Sequence, residues 1–174
     1  MSSDEVLDIV NEDDEVIGTA SRREVHKKHQ IHRGIHVFIF NNQEKLLIQK
    51  RSNKKNDRPG FFDASVGAQV LSGESYLEAA LREAEEELGV ENLKLRKICK
   101  YKSFSDRQRE IRVLFTANSD GPFKIDKREV ASVKFYDIDE IKKKIDEKIK
   151  FTTGFKISFR LYMKLEEKNL SNLS

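Results

Sequence analysis

The sequence predicts a mixed α/β fold, α+β by class, in which helices cover a central sheet. Three observations predict it: short β-forming segments separated by turn residues, one long acidic helix after the middle strands, and helical patterns at the end. The segment 34–41, GIHVFIFN, is apolar on both of its faces. Such a strand belongs in the middle of a covered sheet, so we expect an α/β/α sandwich around a mixed sheet.

Alternation and turn residues predict the elements in order. Strands are expected over 5–10, 15–20, 34–41, 45–51, 61–70, 92–104, 109–118 and 130–138. Helices are expected over 22–28, through the acidic stretch to a left-handed stop at Gly89, over 139–149 behind Asp137, and from Thr152 or Thr153 onward. The N-terminal hairpin and short helix thus occupy 5–30 and the terminal helices 137–168. With no linker and no repeat, we expect residues 1–174 to form a single domain.

Composition bounds the partners and the compartment. The 174 residues are 37% hydrophobic and 36% charged with a net charge of +3, which is too small to indicate a nucleic-acid partner. No apolar run approaches a membrane span, and the acidic N-terminus lacks the pattern of a signal peptide. The only cysteine, Cys99, excludes an internal disulfide. We therefore expect a cytoplasmic protein that binds neither membrane nor nucleic acid.

The stretch 67–90, GAQVLSGESYLEAALREAEEELGV, carries three glutamates on neighbouring turns of one helix, Glu83, Glu86 and Glu87. With Leu77 as the core direction, the buried stripe would be formed by Leu77, Leu81, Ala84 and Leu88, with the glutamates beside it. These like charges repel and oppose the helix dipole, and a bound divalent cation would remove both penalties. A solvated acidic face is the alternative interpretation.

The same stretch resembles the Nudix box, G-x5-E-x7-R-E-U-x-E-E-x-G-U, where U is aliphatic. The expected places within 68–90 are held by Glu74, Arg82, Glu83, Ala84, Glu86, Glu87, Gly89 and Val90. Ala68 stands at the first glycine position, with Gly67 one residue earlier. The resemblance implies a Nudix-type sandwich and Mg²⁺- or Mn²⁺-dependent hydrolysis of a phosphoanhydride in a nucleoside diphosphate linked to another moiety. It also implies a small-molecule substrate and, as in many Nudix enzymes, a homodimer.

The resemblance also implies roles for individual residues. Glu83 and Glu87 would be metal ligands, Glu86 a ligand or its partner, and the carbonyl at Gly67–Ala68 a further ligand. Arg82 would orient the glutamates, and Glu74 would hold the loop. The catalytic candidates are Glu86, Glu87 and Glu129; the last is either a general base or an ordinary surface acid. The candidates for substrate binding are Arg51 and Lys55, against the alternative of a solvated basic loop.

The segments around the box resemble one Nudix branch, related to type 1 isopentenyl-diphosphate isomerase. That family has a cysteine and a histidine in a pattern like S-V-C-G-H-P, where this chain has Gly67 and Gln69. Isomerase activity is therefore the less favoured alternative, and a nucleotide-sensing domain with little turnover is another. The four histidines, His26, His29, His32 and His36, could form a metal site, but we expect His26 and His29 at the surface and His36 in the core.

Overall fold

The computed structural model describes residues 5–105 and 108–171. The strands are β1 (Val6–Val10), β2 (Val16–Ser21), β3 (Ile31–Phe40), β4 (Leu46–Arg51), β5 (Phe62–Asp63), β6 (Val66–Gln69), β7 (Arg96–Phe104), β8 (Arg109–Asn118) and β9 (Val130–Tyr136). The helices are α1 (Arg22–Lys27), α2 (Tyr76–Leu88), α3 (Ile138–Asp146) and α4 (Thr153–Ser171). None of the helices described is both long and apolar enough to cross a membrane.

The sheet is mixed and is organised around β3. This strand runs antiparallel to β1, β4 and β6 and parallel to β8, while β4 also pairs with β5 and β9. Strands β3 and β4 pair only at Phe40 and Leu46, and the segment containing β5 and β6 lies between them. Ser65 ties this segment to both, because its Oγ accepts from Ile39 N at 2.8 Å and donates to Leu47 O at 2.6 Å.

The alternation of β3 produces two hydrophobic cores, one on each face of the sheet. Ile35, Val37 and Ile39 pack in the core that includes the alanines of α2. Phe38 packs in the other core with residues of α3 and α4. The predicted sandwich of helices around a mixed sheet is therefore confirmed.

The buried face of α2 differs from the prediction. Leu77 is 47% exposed, so the prediction that Leu77 marks the buried face of the helix was wrong. The buried residues of α2 are Ala79, Ala80, Glu83, Ala84, Glu87 and Leu88. Small alanines let the helix lie close to the sheet. Glu83 and Glu87 are on the same face of the helix and are buried with it. The predicted stop is confirmed, since Gly89 has the left-handed φ of 65°.

Other boundaries shift for local reasons. The predicted strand 61–70 is divided into β5 and β6, because Ser65 uses its hydroxyl to bridge the neighbouring strands. Asp137 precedes α3 as predicted but makes no side-chain cap, and its carboxylate lies 3.2 Å from Lys45 Nζ. At the start of α4, Phe155 N donates to Thr152 Oγ1 at 3.1 Å. Phe155 and Phe159 of α4 are buried in the core on the α4 face of the sheet.

Candidate active site

A groove of about 370 Å³, here called the acidic groove, lies against the C-terminal half of α2. Its lining residues are Glu83, Glu86, Glu87, Asp126, Arg128 and Glu129. Two backbone hydrogen bonds fix the segment before β9 against the helix end, from Lys124 N to Leu88 O at 2.8 Å and from Asp126 N to Glu87 O at 3.0 Å. The fold thus brings Glu129 to the glutamates of α2, forty-two positions away in the sequence from Glu87.

Glu87 is one of two buried glutamates in this groove, with 3% of its surface exposed, as for Glu83. Gln49 Nε2 donates to Glu87 Oε2 at 3.3 Å. The pKa of Glu87 is raised to about 8, chiefly by burial and next by the charge of Glu83, while Lys55 opposes the shift. The site thus holds a carboxylate whose charged form needs a nearby cation.

Arg82 connects three glutamates of the site. It donates to Glu74 through two bonds of 2.6 and 2.9 Å, to Glu83 Oε1 at 2.7 Å and to Glu86 Oε2 at 3.4 Å. Glu74 in turn accepts from Leu71 N at 3.0 Å, which ties the loop before α2 to the helix. Burial raises the pKa of Glu83, although its bond from Arg82 acts in the opposite direction.

Glu129 forms an ion pair with Lys55, from the loop that follows β4. Burial, the largest single effect, would raise the pKa of Glu129, but hydrogen bonds and nearby positive charges, including those of Lys55, together outweigh it and the pKa is lowered. A carboxylate with a lowered pKa is a weak proton acceptor. A general base at this position would therefore gain strength when Lys55 moves to another partner.

Gly67 and Ala68 lie in β6, with their side-chain positions on opposite faces of the sheet. The Ala68 methyl is buried in the core beneath α2, so the fold accommodates it at the first glycine position of the box. A Cβ at Gly67 would lie 3.1 Å from His36 Cδ2. A cysteine at Gly67 would therefore crowd the imidazole of His36.

The acidic groove fits a divalent cation in its donor chemistry. Five carboxylates line it, and hard carboxylate oxygens are the ligands that Mg²⁺ and Mn²⁺ prefer. Within the described ranges 5–105 and 108–171, no three His, Cys, Asp or Glu residues are yet arranged as a metal-binding group. Arg82 holds Glu83 and Gln49 holds Glu87, so these side chains would have to turn toward an ion.

Arg51 does not line the acidic groove. It lines a second space, here called the polar cavity, together with Lys55, Gly67, Gln69, Glu110 and Gly154 among other residues. Arg51 donates to Asp57 O at 2.9 Å and lies 3.5 Å from Asp63 Oδ2. Because Lys55 lines the cavity and pairs with Glu129 in the groove, the two spaces adjoin at this ion pair.

His36 is buried in the core, as predicted. Arg112 Nη1 lies 2.6 Å from its Nε2, and a guanidinium can only donate, so Nε2 carries the lone pair. The proton is then on Nδ1, which donates to Ser158 Oγ at 2.9 Å. Burial and the charge of Arg112 hold the pKa of His36 well below its usual value.

The surface position expected for His26 was wrong, whereas His29 is exposed as expected. His26 is half-buried because Gln69 Nε2 lies 2.7 Å from its Nε2. The same amide lies 3.0 Å from His32 Nε2. The amide at position 69 therefore joins two of the clustered histidines.

Several polar residues of the two spaces were not identified from the sequence. Gln49 follows three apolar residues of β4, and Glu110 and Arg112 interrupt the apolar run of β8. A polar side chain inside an apolar strand was the available signal, since such a group must find a buried partner. Asp126, in the groove, had no comparable signal because it lies among other charged residues.

Known proteins resemble this chain both in sequence and in fold. The model of the NUDIX domain family matches residues 30–154. The uncharacterized Nudix hydrolase YfcD of Escherichia coli K12 is 36% identical over 172 residues, which cover 97% of this chain and 92% of YfcD. The crystal structure of DR0079 from Deinococcus radiodurans has a TM-score of 0.80 at 29% identity, covering 90% of this chain and 98% of DR0079.

A more distant structure shares the fold. The NUDIX domain of Shewanella oneidensis NrtR, crystallised with ADP ribose, has a TM-score of 0.58 at 15% identity and covers 89% of this chain and all of that domain. At this identity the likeness concerns the arrangement of the sheet and helices.

Proposed function

Because this chain belongs to the Nudix family of hydrolases, we propose that it hydrolyses the phosphoanhydride bond of a nucleoside diphosphate linked to another moiety, using Mg²⁺ or Mn²⁺. One observation carries the proposal. Glu87 is buried beside Glu83, and its pKa is raised to about 8 because burial leaves its negative charge poorly compensated. A divalent cation in the acidic groove would supply that charge.

In this proposal the acids of α2 hold the metal. Glu83 and Glu87 are the main ligands, Glu86 is a ligand or catalytic partner, and the carbonyl at Gly67–Ala68 is a further donor. When bound, the metal would neutralise phosphate charge and lower the pKa of a coordinated water. The contacts of Arg82 with Glu74 and Glu83 support its role in orienting the glutamates.

The cationic side chains beside the groove suit the other part of the substrate. Lys55 and Arg51 line the adjoining cavity, where they would hold a second phosphate group. A phosphate that takes over Lys55 would release Glu129 from its ion pair and strengthen it as a proton acceptor. Substrate binding and the activation of Glu129 as a general base would then be linked through one lysine.

Gly67 and Gln69 argue against isomerisation of isopentenyl diphosphate. Position 67 carries no thiol to protonate an alkene, and the amide of Gln69 is engaged by His26 and His32. We therefore expect no isomerisation of isopentenyl diphosphate by the pure protein.

The test is hydrolysis by the pure protein with Mg²⁺ or Mn²⁺, measured as the phosphate that an added phosphatase releases from the phosphomonoester products. The panel comprises ADP-ribose, dinucleotides, sugar nucleotides, coenzyme A and isoprenoid diphosphates. We expect turnover of at least one nucleoside diphosphate derivative and its near loss in Glu87→Gln. Glu85→Gln is the matched control, because Glu85 is an exposed glutamate of the same helix.

Two outcomes would contradict the proposal. Equal activity of Glu87→Gln and Glu85→Gln would show that the buried carboxylate has no part in the reaction. No turnover across the panel, together with tight binding of one nucleotide, would instead indicate a ligand-sensing domain.

A further inference from the structure

The polar cavity lies on the α4 face of the sheet, beside the split between β3 and β4. Five cationic and three acidic side chains line it, so its overall charge suits an anion. Its volume is about 50 Å³, which leaves space for about three water-sized groups. Such a volume takes a small polar group, such as a hydroxyl or an amino group.

Two buried acceptors in the lining of this cavity have no hydrogen-bond partner. They are Gln69 Oε1 and Glu110 Oε1, for which no donor is found within the part of the chain that the structure describes. Both residues are at least nine-tenths buried. Buried acceptors without partners cost free energy, and a ligand that donates to them would recover it.

In its neutral form, the neighbouring histidine does not satisfy Glu110 Oε1. His32 Nε2 lies 3.4 Å from Glu110 Oε1, but its Nδ1 lies 3.1 Å from Gln30 O, where only a ring proton makes a hydrogen bond. With the proton on Nδ1, the lone pair of Nε2 accepts from the Gln69 amide at 3.0 Å. His32 then has no proton to give to Glu110.

Gly34 brings the backbone of β3 close to both acceptor residues. Gly34 pairs with Gln69 on one side and with Arg112 on the other. A Cβ at Gly34 would lie 3.3 Å from Arg112 Cγ and 3.4 Å from Glu110 Oε1. A side chain at position 34 would therefore crowd Arg112 and Glu110, and glycine avoids that contact.

Cationic side chains also line this cavity. Arg51, Lys55 and Arg58 belong to β4 and the loop after it, and Lys55 reaches the acidic groove through Glu129. A molecule that spans the cavity would thus meet cationic donors beside the groove and acceptor oxygens at Gln69 and Glu110. Its complement is an anionic group joined to a group that carries hydroxyl or amino hydrogens.

We propose that the polar cavity is the subsite for a hydroxyl- or amino-bearing group of the substrate, next to the phosphate that Arg51 and Lys55 hold. This inference rests on the proposed phosphoanhydride hydrolysis and narrows its substrate class. The moiety beyond the diphosphate is a polar one, such as a sugar or an amino alcohol. An isoprenoid chain is excluded, because it would bury Gln69 Oε1 and Glu110 Oε1 against hydrocarbon.

Calorimetric titration in EDTA tests the subsite without turnover. The probes are ribose 5-phosphate, 3-methylbutyl phosphate and inorganic phosphate. We expect ribose 5-phosphate to bind about 10-fold more tightly than either of the others, the size of effect that one or two buried hydrogen bonds produce. Equal affinity for ribose 5-phosphate and 3-methylbutyl phosphate would overturn the proposal, and so would inorganic phosphate binding as tightly as the sugar phosphate.

Gln69→Leu removes one acceptor at nearly constant volume. The preference for ribose 5-phosphate should fall to about 3-fold or less in this variant, whereas Gln43→Leu, at an exposed turn, should keep the wild-type preference. An unchanged preference in Gln69→Leu would contradict the assignment. If Gln69→Leu does not fold, the comparison of the three probes on the wild-type protein still decides.

The same measurements separate the subsite from the reaction. A ribose 5-phosphate preference in a protein that hydrolyses nothing in the panel would retain the subsite and refute the proposed hydrolysis. Hydrolysis of isoprenoid diphosphates as fast as of sugar nucleotides would retain the hydrolysis and refute the subsite.

Discussion

Arg82 and Glu74 form a two-point pair across the loop and helix of the box, with Nε–Oε1 at 2.6 Å and Nη2–Oε2 at 2.9 Å. Both side chains are partly shielded from water, and Glu74 also accepts from Leu71 N. The pair lowers the pKa of Glu74, chiefly through the hydrogen bond from Arg82. It fixes the start of the loop to the helix that carries the acidic residues.

We predict that Glu74→Gln lowers the free energy of unfolding by about 1–2 kcal/mol, because a charge-assisted two-point pair is replaced by a neutral contact. Urea denaturation of the metal-free protein measures the change. Asp139→Asn is the control, since its pair with Lys142 is exposed and should contribute less than about 0.5 kcal/mol. Equal losses in the two variants would mean that the pair of Arg82 and Glu74 stabilises the protein no more than an exposed ion pair does.

Gln49 should tune metal affinity through Glu87. Its amide donates a hydrogen bond to the buried Glu87 carboxylate, and such partners of metal ligands typically affect affinity by about 10- to 100-fold. We predict that Gln49→Leu weakens Mn²⁺ binding about 10-fold or more, as measured by the electron paramagnetic resonance signal of free Mn²⁺. Gln43→Leu should bind as the wild type does. An unaltered affinity in Gln49→Leu would exclude Glu87 as a ligand that Gln49 orients.

The sequence predicted the sheet well where its patterns were strong. The segment around Phe38 is apolar on both faces and forms the central strand, because such a strand is stable only between two covered faces. The rotation of α2 was missed at Leu77 for a physical reason. Hydrophobicity alone favoured leucine for the core, whereas close packing against the sheet is made by the small residues Ala79 and Ala80.

The candidate site was predictable only in part. The spacing of Glu83, Glu86 and Glu87 carried its own signal, but contacts between distant segments did not. Nothing in the sequence indicates that Lys55 meets Glu129, because the pairing of β4 with β9 brings these residues together. The polar cavity was likewise hidden, since it depends on β6 lying within the split of the sheet.

The ion pair of Lys55 and Glu129 leads to a kinetic prediction. If Lys55 holds a phosphate and Glu129 accepts a proton, Lys55→Met should raise KM, while Glu129→Gln should lower kcat about 100-fold. Steady-state kinetics on the best substrate of the panel distinguish the two effects. If both variants and the double variant lose the same factor in kcat/KM with no separation between kcat and KM, the pair acts only as a structural unit.

His36 should make the protein less stable in mild acid. The fold keeps its imidazole neutral, because Nε2 accepts from Arg112, so the pKa is lowered well below the usual 6.5. The unfolded chain takes up a proton below that pH, and the stability due to neutral His36 is lost as pH falls. Between pH 6.5 and 5 the loss in the free energy of unfolding is at most about 1.6 kcal/mol. Denaturation across this range should show a shallower dependence in His36→Asn, while His29→Asn, at an exposed site, keeps the wild-type slope; equal slopes in all three proteins would refute a neutral His36.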